Sequence, residues 1–250
     1  MRMYVMTEGF NGFGPGARQF LADLSRNNRK EWFHANKSLY EEELLGPAAA
    51  FVLALGPKLK ETFPDVSFGT QRNGSGSIMR INRDIRFSPD KRPYKEHLGL
   101  VFWIHPGEGE DAGKVKRKKV ELPCFYFHFA PERIFFYGGQ HMFPKDILER
   151  YRTAVADEGR GPELEKILET LAGQGLPLME EPVYKRTPRG YPADHPRGEL
   201  LRLGGVGVAT NISPGEAESP QLIESCAKRA GRMKTLIDWL CDINRRREAV

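Results

Sequence analysis

The run Cys124-Phe125-Tyr126-Phe127-His128-Phe129 constrains this chain more than any other stretch. Successive side chains of a β-strand point to opposite faces, so Phe125, Phe127 and Phe129 share one face while Cys124, Tyr126 and His128 share the other. Ala130-Pro131-Glu132 then turns the chain into Arg133 to Tyr137, which predicts a hairpin ending before Gly138-Gly139. Leu98 to Ile104 is apolar and holds Val101, Phe102 and Trp103, so it reads as a buried strand. Asn73-Gly74-Ser75-Gly76 predicts a turn into an extended stretch at Ile78 to Ile81.

Helical spacing surrounds this sheet. Ala17, Phe20, Leu21 and Leu24 recur at helix period and stop at Asn27 and Asn28, after a Gly-rich lead from Gly9 to Gly16 that reads as flexible. Glu31 to Lys60 predicts helices broken near Gly46-Pro47, because proline removes a backbone donor. Pro144 suits a first helical turn before Ile147, Leu148, Tyr151 and Val155, and Leu164, Ile167, Leu168 and Leu171 form a second helix. Residues 176 to 198 are Pro-rich and aperiodic, and Leu222, Cys226, Met233, Ile237 and Leu240 close the chain as a helix running into Arg245 to Arg247. The expected class is α+β: a central, mainly antiparallel sheet with flanking N-terminal and C-terminal helices, in a single domain over residues 1–250.

Composition narrows the setting. Hydrophobic residues make up 40% of the 250 and charged residues 28%, the balance of a globular chain rather than a disordered one. Cys124, Cys226 and Cys241 form no C-x-x-C pair and lie in apolar patterns, so they read as buried, reduced thiols. The first ten residues lack an apolar signal region and no run of 18 apolar residues occurs, so the expectation is a cytoplasmic protein with no membrane partner.

Net charge is +5, and its distribution is uneven. Residues 80 to 97 hold Arg80, Arg83, Arg86, Lys91, Arg92 and Lys95 against Asp84, Asp90 and Glu96, so this segment alone carries +3. Arginine grips phosphate or carboxylate through two parallel hydrogen bonds and lysine adds a mobile point charge, so such a cluster around one concavity makes an anion site. Asp84 and Asp90 would orient the arginines, and the prolines at 89 and 93 would gather the charges through turns. The alternative is an internal ion-pair network bracing the connection between two strands. Six bases against three acids leave three cations to find acids elsewhere, water or a ligand.

The pattern RINRDIRFSPDKRPYKEHLG, together with FLADLSRNNRKEWFHANKSLYEEELLGP, CFYFHFAPE, FFYGGQHMFP and YKRTPRGYPADHP, resembles a bacterial and fungal family known only as a domain of unknown function. The resemblance covers about residues 10 to 243. It implies one domain of this length and brings neither an established activity nor a cofactor. The family's recurrent polar positions fall here on Arg80, Arg83, Asp84, Arg86, Asp90, Lys91, Tyr94, Lys95, Tyr126, His128, Lys185 and Arg186. Asn82 departs from the aromatic residue common in that place, and the Gly107 to Lys119 loop is longer and more charged than usual.

His128 can act as a proton donor or acceptor near neutral pH, or serve as a structural histidine. Tyr94, set among cations, would have its phenolate favoured, or it caps the packing. Lys185, Arg186 and Arg189 sit on a Pro/Gly loop, where binding residues concentrate. Lys114 to Lys119 is a second basic run. The six histidines show no metal-ligand spacing, Gly12-Phe13-Gly14-Pro15-Gly16 lacks the lysine of a phosphate loop, and no serine-hydrolase elbow occurs.

Three functional expectations follow. In the first, an enzyme of unknown reaction class acts on a small phosphorylated or carboxylated molecule. Arg80, Arg83, Arg86, Asp90, Lys91, Lys95, Tyr126, Lys185 and Arg186 bind it, and Asp84, Tyr94 and His128 do the chemistry. The second is nucleic-acid binding along the basic segments, and the third a non-catalytic module whose charges brace the fold. No cofactor is specified by the sequence, and neither is an oligomeric state.

Overall fold

A computed structural model describes residues 9–105 and 117–245. Lys114 and Lys116 of the second basic run, and Arg246 and Arg247 of the C-terminal tail, lie outside the described residues.

Helix α1 (Pro15–Arg26) buries Ala17, Phe20, Leu21 and Leu24 and ends at Asn27, as its spacing predicts. Short helices α2 (Lys30–Ala35) and α3 (Lys37–Leu39) follow, then a π-helical turn, Tyr40–Leu45, that runs directly into α4 (Gly46–Thr62). The expected break at Gly46-Pro47 is therefore absent. Gly46 N–H bonds the carbonyl of Glu41, five residues back. This wider turn accommodates Pro47, whose ring would strike the carbonyl four residues earlier in a regular α-helix.

Five strands form one sheet in sequential order, every neighbour antiparallel. They are β1 (Val66–Ser67), β2 (Leu98–Ile104), β3 (Cys124–Phe129), β4 (Ile134–Gln140) and β5 (Val206–Asn211). The α+β class is as expected, with three differences. Ile78 to Ile81 makes a single bridge, Ile78 to Leu100, in place of a strand. Strand β4 continues through Gly138 and Gly139 to Gln140. Strand β5 gives little sequence signal, since glycine at 207 interrupts the apolar run and leaves no side chain to count.

Helices α5 (Lys145–Ala156), α6 (Arg160–Gly173) and α7 (Gly198–Leu201) lie between β4 and β5. After β5 come α8 (Pro214–Ala217), α9 (Leu222–Arg232) and α10 (Lys234–Asn244), so the predicted closing helix is two, broken at Met233. Helices α4, α9 and α10 pack on the face that carries Leu100, Phe102, Phe125, Phe127 and Phe136. The Gly-rich lead joins this core instead of hanging free. Phe10 and Phe13 are buried, Phe13 stacks on Phe127 at 5.4 Å between centroids, and its N–H bonds Ala217 O at 2.8 Å.

Short segments cover part of the outer side of β2, beyond the two-residue β1, and part of β5. Val101 N bonds Ser77 O and Met79 N bonds Gly99 O along the outer side of β2. Met79's counterpart on β5 is Met179, whose N–H bonds Gly207 O, while Ala209 N bonds Pro177 O.

Candidate functional site

The second face of the sheet, turned away from the large core, is built in cross-strand rows. Gly99, His128, Phe135 and Asn211 stand opposite one another in one row, Val101, Tyr126, Tyr137 and Ala209 in the next, and Trp103, Cys124, Gly139 and Gly207 in the third. Two glycines make room for two tyrosines. A Cβ on Gly99 would sit 2.5 Å from the Tyr126 hydroxyl and 3.1 Å from Met79 Sδ, and one on Gly207 would overlap the Tyr137 ring. Each ring lies across the bare backbone of the neighbouring strand and takes the place of the missing side chain.

Residues 80 to 97 reach this face from the side of β2. Asn82 bridges to Tyr94, Arg83 N bonds Pro93 O at 2.9 Å and Lys95 N bonds Ile81 O at 2.7 Å. The residues between therefore form an arm closed at its base. Asn28, just beyond α1, clasps that base by donating to Tyr94 O at 3.0 Å and accepting from Tyr94 N at 3.1 Å.

Most charges of the arm satisfy one another. Arg83 pairs with Asp90 at 2.6 Å, Arg92 pairs with Asp90 at 2.8 Å and with Glu96 at 2.6 Å, and Arg86 grips Asp84 through two nitrogens at 2.9 and 2.7 Å. The Arg86 guanidinium holds the Asp84 carboxyl down at about 2. Lys91 donates to Ile85 O at 3.0 Å. Arg80 and Lys95 differ: neither has a hydrogen bond or ion pair through its side chain among the described residues. Lys95 is half-buried, and desolvation, with Arg80 nearby, lowers the proton affinity of its ammonium.

Tyr94 packs in the core. It is 4% exposed and stacks on Phe33 at 4.2 Å, and burial raises its pKa, the reverse of the favoured phenolate. Arg83, Arg86 and Asp90 are engaged within the arm, and Lys185 and Arg186 are exposed on the 180–197 loop. Asp84, Asp90 and His128 do not assemble, and no group of three or more metal-ligating side chains occurs among the described residues.

What Lys95 adjoins is a stack of rings. His97 lies 4.5 Å from His128, His128 lies 4.6 Å from Phe135, and the Arg133 guanidinium covers Phe135 at 4.7 Å. Tyr126 Oη is 3.4 Å from His128 Nδ1. Burial, His97 and Arg133 together push His128 down to about 4, burial and Lys95 lower His97, and burial raises Tyr126 to about 12. At neutral pH the face thus presents two uncharged imidazoles and a neutral phenol beside a cation. His97 and Arg133 are members that sequence reasoning passes over. His97 keeps step with His128 only through the strand register, and Arg133 looks like a turn residue.

At the far end of the face Tyr137 donates to Glu180 Oε1 at 2.7 Å, and the Glu180 side chain is 8% exposed. Cys124 lies in this apolar corner, and burial pushes its thiol up to about 12.

These features define an α+β protein with a sequential antiparallel sheet, helices on one face and a polar cluster on the other. The chain belongs to the family described as conserved hypothetical protein, DUF2461, which matches residues 16–239. No curated protein and no solved structure matches the chain.

Proposed function

We propose that this face binds a small phosphorylated or carboxylated molecule against Lys95 and Arg80, and that the protein is an enzyme acting on it through His128 and Tyr126. The observation that carries the reading is Lys95, a half-buried ammonium with no acceptor among the described residues. Partial burial of a cation costs free energy unless an opposite charge or hydrogen-bond acceptors offset it, and a ligand's oxygens would do so. His128 is neutral above about pH 4 and so ready to accept a proton. The tautomer whose Nδ1–H faces the Tyr126 oxygen leaves Nε2 with its lone pair free. The arm then serves as a braced wall rather than as the clamp, and Arg83, Arg86 and Asp90 support that wall.

Thermal unfolding in the presence of phosphorylated and carboxylated metabolites tests this. At least one compound is expected to raise the midpoint, and Lys95→Met is expected to abolish that rise while remaining folded. A panel with no stabilising compound, or undiminished stabilisation of Lys95→Met, rejects the anion site.

A nucleic-acid reading has one observation in its favour. Phe87, at the tip of the arm, is 94% exposed beside Arg86, the placement of a base-stacking residue. It predicts retention of the protein on single-stranded DNA that falls steeply with salt and is lost in Phe87→Ala.

A further inference from the structure

We propose that the site takes a dianionic head group, of the phosphate monoester class, together with one proton from solvent that settles on the His97–His128 pair. The inference rests on the anion-site reading above and names the charge state of its ligand. Two imidazoles 4.5 Å apart, tilted by 32°, lie on a face where neither has a carboxylate within ion-pairing distance among the described residues.

The groups around the pair come from every adjoining element. Lys95 and Glu96 precede His97, Arg80 lies on the segment beside β2, Tyr126 stands on β3, and Arg133 opens β4 beyond the Phe135 ring. Glu96 is engaged by Arg92 and by Asn28. Burial, with Lys95 beside His97 and Arg133 beside His128, lowers the proton affinity of both rings, so the pair is neutral at neutral pH. Half-buried Lys95 matches one negative charge at close range, whereas Arg80 is exposed and screened by solvent, so it offsets a second charge only weakly. A second negative charge raises the proton affinity of the nearest uncharged base, and that base is the imidazole pair. The balance is simple: one solvent proton is bound, no covalent bond changes, and the imidazolium so formed donates to the bound oxygens.

Sulfate is the clean probe, since it is a dianion across the working range and carries no proton of its own. Titration calorimetry at pH 6.5 in buffers of different ionisation enthalpy counts the protons taken up. Roughly one proton per sulfate is expected, with affinity rising about tenfold per pH unit lowered towards pH 5. Methanesulfonate, a monoanion, is expected to bind with far less uptake, and His97→Asn or His128→Asn to reduce the uptake with sulfate. Sulfate bound without proton uptake overturns the proton coupling and leaves the anion site standing. No sulfate binding in the unmodified protein removes the anion site, and the coupling with it.

Discussion

His128 illustrates how one side chain's surroundings set a property of the whole protein. In the unfolded chain its imidazole titrates near 6.5, whereas in the fold burial, with His97 and Arg133 close by, brings it to about 4. Between these values the unfolded state binds more protons than the folded one. The stability associated with neutral His128 is fully present above about pH 6.5 and is lost as pH falls towards 4. Two to three kcal/mol, roughly, is the expected loss, with His97 adding in the same direction. Urea unfolding at pH 7.5 and pH 4.5 measures it, and His128→Asn should flatten the difference. A ligand dianion reverses the sign locally, since it favours the charged imidazole.

At the scale of elements, the arm from Asn82 to Tyr94 divides the charge cluster into parts with different jobs. Asp90 accepts from both Arg83 and Arg92, so Asp90→Asn should loosen the arm while leaving the sheet intact. Hydrogen exchange is expected to quicken at the Arg83 and Lys95 amides, with global stability changed by under about 1 kcal/mol, because partly exposed ion pairs contribute little. An equal change spread over β2 and β3 would refute this division. Strands β2 and β3, the hairpin into β4 and α1 were legible in sequence because apolar side chains mark their period directly. Strand β5 was not, since its glycine is there for the Tyr137 ring, a partner 70 positions away in the chain. The site was half legible. Charge counting placed it near residues 80 to 97 and the alternation placed Tyr126 and His128 on one face. Pairing partners decide which cations remain available, and only three-dimensional contacts reveal that Arg83 and Arg86 are engaged while Lys95 is not.

For the molecule as a whole, the large core and the smaller cluster under the polar face lie on opposite sides of one sheet, and the three cysteines are buried in them. Burial pushes the thiols of Cys124 and Cys241 up to about 12, and that of Cys226 higher still. A thiol-specific reagent at pH 8 should leave the folded protein unlabelled and label all three cysteines in denaturant; rapid labelling of the native protein would contradict this packing. No helix among the described residues is long and apolar enough to cross a membrane. Ser77 to Met79 cover part of β2 and Pro177 to Met179 part of β5, and this bears on assembly. Ladder bonds at Gly99 and Val101 of β2 and at Gly207 and Ala209 of β5, which another chain could use as a template, are already taken by short segments of the protein itself. At these positions a strand added by another chain would have to displace the protein's own segments, so a partner approaching there would meet side chains rather than a free backbone edge.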